Sequence, residues 1–207
     1  MSIRTLHLNS IVLTLLTTLT GCTTISGDYN PPKTYSFANT KTVNKPFDAV
    51  WDEMVKNLSS DFFVINNIDK NSKIINVSFS TTTPSEYVDC GVAHITFKNA
   101  RGSNTSSFNK ADSTQQRIKN GILTSTTRLD GRVNIYISQE NNATTIAVNA
   151  KYAIPVSLVF KPFGEYPQQY ENKQIDLSTK NIYSNNTNTN TCAANGLLER
   201  RILNLVK

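Results

Sequence analysis

The chain has 207 residues, of which 38% are hydrophobic and 17% are charged, and its formal net charge is +6. This length and composition predict a single globular domain with an ordinary core, and the positive balance suits anionic lipid or glycan surfaces. The basic residues are scattered and form no stripe with interleaved aromatic residues, so a nucleic-acid-binding function is not expected.

The amino terminus has the pattern of a bacterial export signal. Arg4 supplies a positive charge, a mostly apolar run follows from Leu8, and the run ends at Leu19-Thr20-Gly21-Cys22. The run is shorter than the roughly 20 apolar residues that a membrane-spanning helix needs. The remaining alternative is an ordinary secretory signal whose Cys22 later pairs in a disulfide.

Leu19-Thr20-Gly21-Cys22 resembles the lipobox of bacterial lipoproteins. The resemblance implies a signal peptide over residues 1–21, diacylglycerol on the Cys22 thiol, and an acyl group such as palmitate on the new amino terminus. Two or three acyl chains anchor a protein stably, whereas one is marginal. Thr23 follows the cysteine where an aspartate would favour inner-membrane retention, so the resemblance implies the outer membrane, with the protein facing the periplasm.

Residues 22–34 are predicted to form a lipidated tether that lets the domain stand off the membrane. Pro31 and Pro32 stiffen this segment and prevent a helix. Residues 35–207 are then expected to form one periplasmic domain. Its first part, from Tyr35 to Val43, alternates loosely and indicates a strand.

Residues 46–59 give the clearest helix prediction. Pro46 suits a first helical turn, and the acidic residues lie toward the amino-terminal half, where the helix dipole favours them. The apolar residues recur at helical spacing and predict one face packed on a sheet. These residues are Phe47, Val50, Trp51, Met54, Val55 and Leu58.

Alternating apolar residues predict several antiparallel strands farther along the chain. Residues 62–65 and 73–80 indicate one β-hairpin, and residues 131–138 and 144–153 indicate another. Residues 92–97 form a further predicted strand between them.

Two regions show no clear periodicity. Residues 99–120 are polar and predict a long connection, and residues 155–190 are interrupted by prolines and end in a solvated loop. A second helix is predicted over residues 196–206. Its apolar face comprises Leu198, Ile202, Leu205 and Val206.

The order of elements predicts an α+β fold. We expect an antiparallel sheet with an N-terminal helix at about 46–59 and a C-terminal helix at about 196–206 packed on it.

The cysteines predict a disulfide. If Cys22 carries lipid, Cys90 and Cys192 remain as an even pair in an oxidising compartment. Their bond would close a loop of about 100 residues, which stabilises a fold by roughly 4–5 kcal/mol in the chain-entropy model. It would also hold the start of the second helix against the sheet.

Catalytic or metal-binding chemistry has little support in the sequence. Cys90 and His94 would share one face of a strand but lie about 13 Å apart, which is too far for a thiol and its base. His94 is the only histidine after the signal, and no metal-binding motif is present. We therefore expect no catalytic residues, no metal and no cofactor.

The segment around the first helix carries a family resemblance. Pro46-Phe47-Asp48-Ala49-Val50-Trp51 and Asp69-Lys70-Asn71-Ser72-Lys73 resemble the helix-then-hairpin pattern of the BamC outer-membrane assembly lipoproteins. Lys73 stands where glycine is usual. Tyr87-Val88-Asp89-Cys90-Gly91 has no counterpart there and resembles an element of uncharacterised proteobacterial lipoproteins. Both comparisons imply an envelope protein and neither supplies catalytic residues.

We therefore expect a non-enzymatic, lipid-anchored accessory or interaction subunit of the outer membrane, with envelope proteins as partners. The alternative is a periplasmic protein that binds a lipid, glycan or peptide in a groove between sheet and helix, and a cell-wall enzyme is the third hypothesis. A candidate contact loop contains Phe160, Phe163, Tyr166 and Tyr170, whose aromatic side chains lie among prolines. Buried packing is the alternative explanation for each of them.

Overall fold

The computed structural model describes residues 23–184 and 191–207. Two α-helices occur in these ranges, α1 (Phe47–Ser59) and α2 (Leu197–Leu203), with a 3₁₀ turn at Pro84–Glu86. The strands of the same ranges are β1 (Thr24–Asn30), β2 (Thr40–Val43), β3 (Val64–Asp69), β4 (Ile74–Thr81), β5 (Val88–Asp89), β6 (Val92–Asn99), β7 (Gly102–Asn109), β8 (Thr114–Ile118), β9 (Gly121–Thr127), β10 (Leu129–Glu140), β11 (Ala143–Pro162), β12 (Gln169–Ser178), β13 (Tyr183–Ser184) and β14 (Thr191–Ala194).

One long β-hairpin forms the centre of the molecule. β9 and β10 together pair antiparallel with β11 in a single register, from Gly121 opposite Pro162 to Glu140 opposite Ala143. This register places Pro155 opposite Arg128, the residue that separates β9 from β10. Proline has no N–H to donate, which accounts for an interrupted ladder at this point.

Among the described residues, five further strands complete the sheet built on this hairpin. β4 and then β3 flank β10, and β8 flanks β9. β2 and β12 pair with opposite ends of the other edge of β11. A second sheet has the order β1-β6-β7, and β14 pairs with both β13 and β5.

The two halves of β11 are covered differently on their buried face. Both helices contact β11, whose inward side chains from Thr144 to Ile154 are buried, whereas Leu158 and Phe160 are only partly buried. Over the buried stretch the core is closed, because Val50, Met54 and Leu58 of α1 are fully buried, as are Leu198 and Ile202 of α2. The carboxy-terminal half of β11 extends beyond the helices.

The predicted α+β fold class is wrong. Of the described residues, 58% are in strands and 13% in helical segments, and the several antiparallel sheets make the fold mostly β and sandwich-like. Both predicted helices exist, but α2 is shorter than predicted. The prediction failed because long stretches with weak periodicity are strands, which sequence patterns alone did not reveal.

Two of these stretches are corrections to the expected organisation. Residues 24–30, placed in the tether, form β1 and pair with β6 along their whole length. Residues 99–120, expected to form a connection, contain β7 and β8. Polar residues predominate in both regions because these strands lie at sheet edges or expose one face, so no clear alternation marks them.

The helix prediction for residues 46–59 and both hairpin predictions are confirmed, with α1 at Phe47–Ser59 and pairing of β3 with β4 and of β10 with β11. The second hairpin is much longer than predicted because β11 continues through Pro155 to Pro162. The first predicted strand, from Tyr35 to Val43, is limited to β2 at Thr40–Val43.

Candidate functional site

The predicted disulfide between Cys90 and Cys192 is present. It joins Cys90, the residue after β5, to Cys192 within β14, and the two strands also pair through Val88 opposite Ala194. Both cysteines are buried. Cys90 therefore has no thiol in this oxidised form, and the weak case for Cys90–His94 thiol chemistry has no nucleophile.

The His94 side chain lies on the outer face of its sheet. Its Nε2 atom is 3.0 Å from Asn30 Nδ2, and its Nδ1 atom is 2.7 Å from Ser107 Oγ. Asp28 is directly opposite His94 on β1 and shares this face. Neighbouring positions on these strands, such as Ala93, point to the other face because side chains alternate along a strand.

The segment Val88–Gly91 organises the junction between the two sheets. The Tyr29 hydroxyl donates to the Cys90 carbonyl oxygen at 3.1 Å, which ties β1 to the disulfide. Asp89 accepts hydrogen bonds from the Gly91 amide and, at 2.7 Å, from the Tyr35 hydroxyl. Burial and this carboxylate raise the pKa of Tyr35 to about 12, so Tyr35 remains a donor at neutral pH.

Gly91 is required by the close approach of β1. Its φ is +76°, a conformation that favours glycine, and a Cβ there would collide with the Asn30 carbonyl oxygen and the Tyr29 ring. In the sequence, this segment stands out by its resemblance to an element of other lipoproteins. The structure shows its local role, which is to hold β1 and the disulfide together.

The candidate site is a cleft of about 640 Å³ between the β1-β6-β7 sheet and the carboxy-terminal half of β11 with its neighbours. We call it the inter-sheet cleft. Its volume lies in the range of about 300–1,000 Å³ that is common for small-molecule sites. The disulfide, Tyr29 and Tyr183 form part of its lining, and Tyr183 pairs with Cys192.

The walls of the inter-sheet cleft are mostly apolar. Gly27, Ala93, Ile95 and Phe108 line it from one sheet, and Ile118, Leu123, Val156, Leu158 and Ile175 line it from the other. Ile95, Leu123 and Leu158 are only partly buried. Partial exposure of facing apolar side chains indicates that the two sheets do not fill the space between them.

Two lysines bring positive charge to the inter-sheet cleft. The Lys110 ammonium lies 4.6 Å from the centroid of the Tyr29 ring. Burial lowers the pKa of Lys110, and the nearby charge of Lys173 on β12 lowers it further. Lys173 lies opposite Val156, which places it beside the apolar wall.

Asp28, His94 and Asp112 also contribute atoms to the lining of the inter-sheet cleft. Asp112 accepts a hydrogen bond from the Ser85 amide at 2.9 Å, and Asp28 shares the outer face with His94. Apart from these groups, the lining combines an apolar wall with two cations, and that combination suits a ligand with an apolar body and an anionic group.

The groove between sheet and helix, which was the ligand site in the alternative hypothesis, is filled by the buried residues of α1 and α2. Sequence reasoning missed the inter-sheet cleft because Lys110 lies in the presumed connection and Lys173 in a region without a clear pattern. A usable signal was present, since apolar residues at every second position continue from Ile146 through Val156 and Leu158.

The four residues of the candidate contact loop separate into two environments. Phe160 is partly buried, and its ring lies against Gly121. Phe163, Tyr166 and Tyr170 are 43%, 74% and 71% exposed. Buried packing therefore does not account for these three side chains, and nothing in the fold explains their exposure.

Cys22, with the whole predicted signal of residues 1–21, lies outside the described residues, as does most of the predicted solvated loop at 185–190. Within the part of the chain that the structure describes, no helix is long and apolar enough to cross a bilayer. The same residues contain no group of three or more histidine, cysteine, aspartate or glutamate side chains arranged to hold a metal ion.

No protein-family model, curated protein or solved structure matches the chain. The resemblances to BamC and to other envelope lipoproteins therefore stay predictions from the sequence. The inter-sheet cleft and the amino-terminal motif are the features of the chain that bear on its function.

Proposed function

We propose that the chain is a non-enzymatic lipoprotein of the outer membrane that binds an amphiphile with an acyl or similarly apolar body and an anionic group. The observation that supports this most is the inter-sheet cleft, whose apolar walls are accompanied by Lys110 and Lys173. The ligand's apolar body would contact Ile95, Leu123 and Leu158, and its anionic group would lie near the two ammonium groups.

Physical chemistry favours this ligand class over the glycan and peptide alternatives. Filling the space between half-buried apolar side chains removes their surface from water, which contributes about 25 cal/mol per Å². An anion beside the two lysines also offsets the burial of the Lys110 ammonium, which is the main cause of its lowered pKa, and the repulsion from Lys173. A neutral glycan would obtain neither contribution from these walls.

Binding is tested with cis-parinaric acid, a fluorescent fatty acid, and the purified full-length lipoprotein. Leu158→Asp places a charge on the apolar wall, and we expect it to weaken binding at least about tenfold, because each tenfold corresponds to about 1.4 kcal/mol. Val159→Asp is the matched control, since Val159 is the next residue of β11 and points to the opposite face.

The charge requirement is tested separately with Lys173→Gln. We expect about fivefold weaker binding of cis-parinaric acid, corresponding to about 1 kcal/mol for a solvent-accessible ion pair, and no change for a neutral long-chain alcohol that competes with the probe. Absence of binding by the unaltered protein, or equal weakening by Leu158→Asp and Val159→Asp, would contradict the proposed function.

The anchor is tested independently of the ligand. In cells given radiolabelled palmitate, Cys22→Ala is expected to abolish lipid labelling and to release the protein from the membrane fraction. If the variant keeps both its label and its membrane association, Cys22 is not the lipidated residue. The accessory role toward envelope proteins stays a prediction of the sequence, because no contact surface in the described residues selects a protein partner.

A further inference from the structure

A second exposed feature lies where the long hairpin ends. The β8–β9 turn and the loop that follows β11 meet there, since the Phe163 amide donates to the Asn120 carbonyl oxygen at 2.8 Å. We call residues 117–122 and 160–170 together the aromatic tip. Phe163, Tyr166 and Tyr170 are its exposed aromatic side chains.

Basic side chains accompany these aromatic groups. The Arg117 guanidinium carbon lies 4.9 Å from the centroid of the Phe163 ring, and Lys119 and Lys161 are exposed. Glu165 is the acidic residue in the loop between β11 and β12. Amphipathic aromatic rings combined with cations are typical of surfaces that enter the headgroup region of an anionic bilayer.

The aromatic tip and the start of β1 both lie close to residues that line the inter-sheet cleft. Gly27 lines the cleft three residues after Thr24, where β1 begins, and Ile118 lines it two residues before Asn120. A strand rises about 3.3 Å per residue, so the start of β1 and the aromatic tip each lie within about 10 Å of cleft-lining residues, measured along their strands.

The length of chain between anchor and domain is also restrictive. Only Thr23 separates Cys22 from β1, and β1 is hydrogen-bonded to β6 from Thr24 onward. A lipid on Cys22 would therefore hold the start of β1 at the bilayer surface rather than allow the domain to stand off on a tether. Lys98 is paired with Thr24 and brings another positive charge to this position.

We propose that the aromatic tip inserts into the headgroup region of the same anionic bilayer that holds the lipid on Cys22. This insertion is a separate property from ligand binding in the inter-sheet cleft. It rests on the proposed lipidation of Cys22 in one respect, because the lipid decides which membrane the tip contacts. Anchor and tip then form two points of attachment, and the cleft lies between them, close to the lipid surface.

The experiment uses the full lipidated protein in vesicles of phosphatidylglycerol and phosphatidylcholine whose acyl chains are brominated. Tyr166→Trp adds a fluorescent reporter at the tip. The single native tryptophan, Trp51, is 5% exposed in the core, so it supplies a background that bromine should not quench. Tyr136→Trp is the matched control, because Tyr136 is 44% exposed on the outer face of the sheet, near the opposite end of the long hairpin.

We expect bromine to quench the added fluorescence of Tyr166→Trp at least about twofold more than that of Tyr136→Trp. Reversing charge at the tip with Lys119→Glu and Lys161→Glu in the Tyr166→Trp background should reduce the quenching, and vesicles of phosphatidylcholine alone should do the same. Both responses follow from attraction between tip lysines and anionic headgroups, which acts near the surface only.

Equal quenching of Tyr166→Trp and Tyr136→Trp, or no quenching of either in vesicles that float with the protein, overturns the proposal. If the added tryptophan of Tyr166→Trp is shielded only after envelope proteins are added, the proposal is also overturned, and a protein partner is favoured instead. Protein that does not float with the vesicles contradicts lipidation of Cys22 instead, while binding of cis-parinaric acid reports on the inter-sheet cleft alone.

Discussion

At the scale of single residues, the core contains a buried carboxyl group that depends on hydrogen bonds to offset its loss of solvent. Glu199 of α2 is 0% exposed, and its Oε1 atom accepts hydrogen bonds from the Tyr152 hydroxyl at 3.0 Å and the Thr179 hydroxyl at 2.8 Å. Its Oε2 atom has no hydrogen-bond partner in the described residues. Burial and the nearby Glu199 raise the pKa of Tyr152 strongly, so its hydroxyl keeps the proton that it donates.

Tyr152→Phe should destabilise the protein by about 1–3 kcal/mol. The substitution leaves the shape of the core nearly unchanged but removes one of two donors to a buried carboxyl group, which then loses part of its compensation for desolvation. Urea unfolding followed by Trp51 fluorescence measures the effect. Tyr136→Phe, at an exposed position, is the control, and a Tyr152→Phe loss no larger than the control's would show that Glu199 does not depend on this bond.

At the scale of elements, the two helices are joined across their ends by an ion pair. Asp61, just after α1, receives hydrogen bonds from the Arg201 side chain of α2, with Arg201 Nε at 3.1 Å from Asp61 Oδ2. The Arg201 guanidinium also lies 4.3 Å from the centroid of the Phe62 ring. The hydrogen bond from Arg201 lowers the pKa of Asp61, against the opposing effect of burial.

This pKa shift predicts a pH-dependent contribution to stability. Because the pKa of Asp61 is lower in the folded protein than in the unfolded chain, the stabilisation is present above the unfolded value of about 3.9 and is lost as pH falls through the folded value. Asp61→Asn should therefore lower the free energy of unfolding by about 0.5–1 kcal/mol at pH 6, and the difference should disappear toward pH 2.

Urea unfolding of both proteins at pH 6, 4 and 2 measures this difference. Asp48→Asn is the comparison, because the Asp48 side chain is 79% exposed in its ion pair with Lys70, and we expect a change of less than about 0.5 kcal/mol. A difference for Asp61→Asn that stays constant across these pH values would mean that the charge of Asp61 is not what Arg201 stabilises.

At the scale of the whole molecule, the long hairpin carries two regions with different packing. The helices close the core over one half, whereas the other half faces the β1-β6-β7 sheet across the inter-sheet cleft. The Cys90–Cys192 disulfide spans 102 residues of sequence and holds the junction between the regions. It lies beside Tyr29, whose hydroxyl links β1 to the Cys90 carbonyl oxygen.

Replacing both cysteines, as Cys90→Ser with Cys192→Ser, should lower the free energy of unfolding by roughly 4–5 kcal/mol, because the unfolded chain regains the freedom of a loop of about 100 residues. The loss should appear in urea unfolding. The substitutions should also increase the rate of backbone hydrogen exchange more in β1 than in β10, because β10 is paired with a strand on each side. The unaltered protein under reducing conditions is the control and should behave like the variant, and a loss below about 1 kcal/mol would contradict this account.

The sequence was sufficient wherever the physical signal is local or strong. The apolar stripe that contains Trp51 repeats every three or four residues and predicts α1 without knowledge of its partner. The β10–β11 hairpin was predictable because one of its faces is buried, which produces a clear alternation of apolar and polar residues. The disulfide was predictable from a count of cysteines, on the prediction that Cys22 carries lipid.

The tertiary structure decided the features that depend on pairing between distant segments. β1, with only Ile25 and Tyr29 as large apolar residues, becomes a strand because β6 supplies its hydrogen-bond partners. The burial of Glu199 depends on Tyr152, which is 47 residues away. Neither feature leaves a periodic pattern in the sequence around it.

The sequence by itself determined the first helix, the central hairpin and the identity of the disulfide pair, each through residues that are close together or few in number, and it carries the motif from which export and lipidation are predicted. Only the tertiary structure decided that the fold is mostly β, that the helix–sheet interface is closed, and that an open cleft lies between two sheets beside the aromatic tip. The physical reason is that strands with only partly buried side chains show little hydrophobic alternation. Their pairing therefore becomes evident only when the opposing sheets are in place.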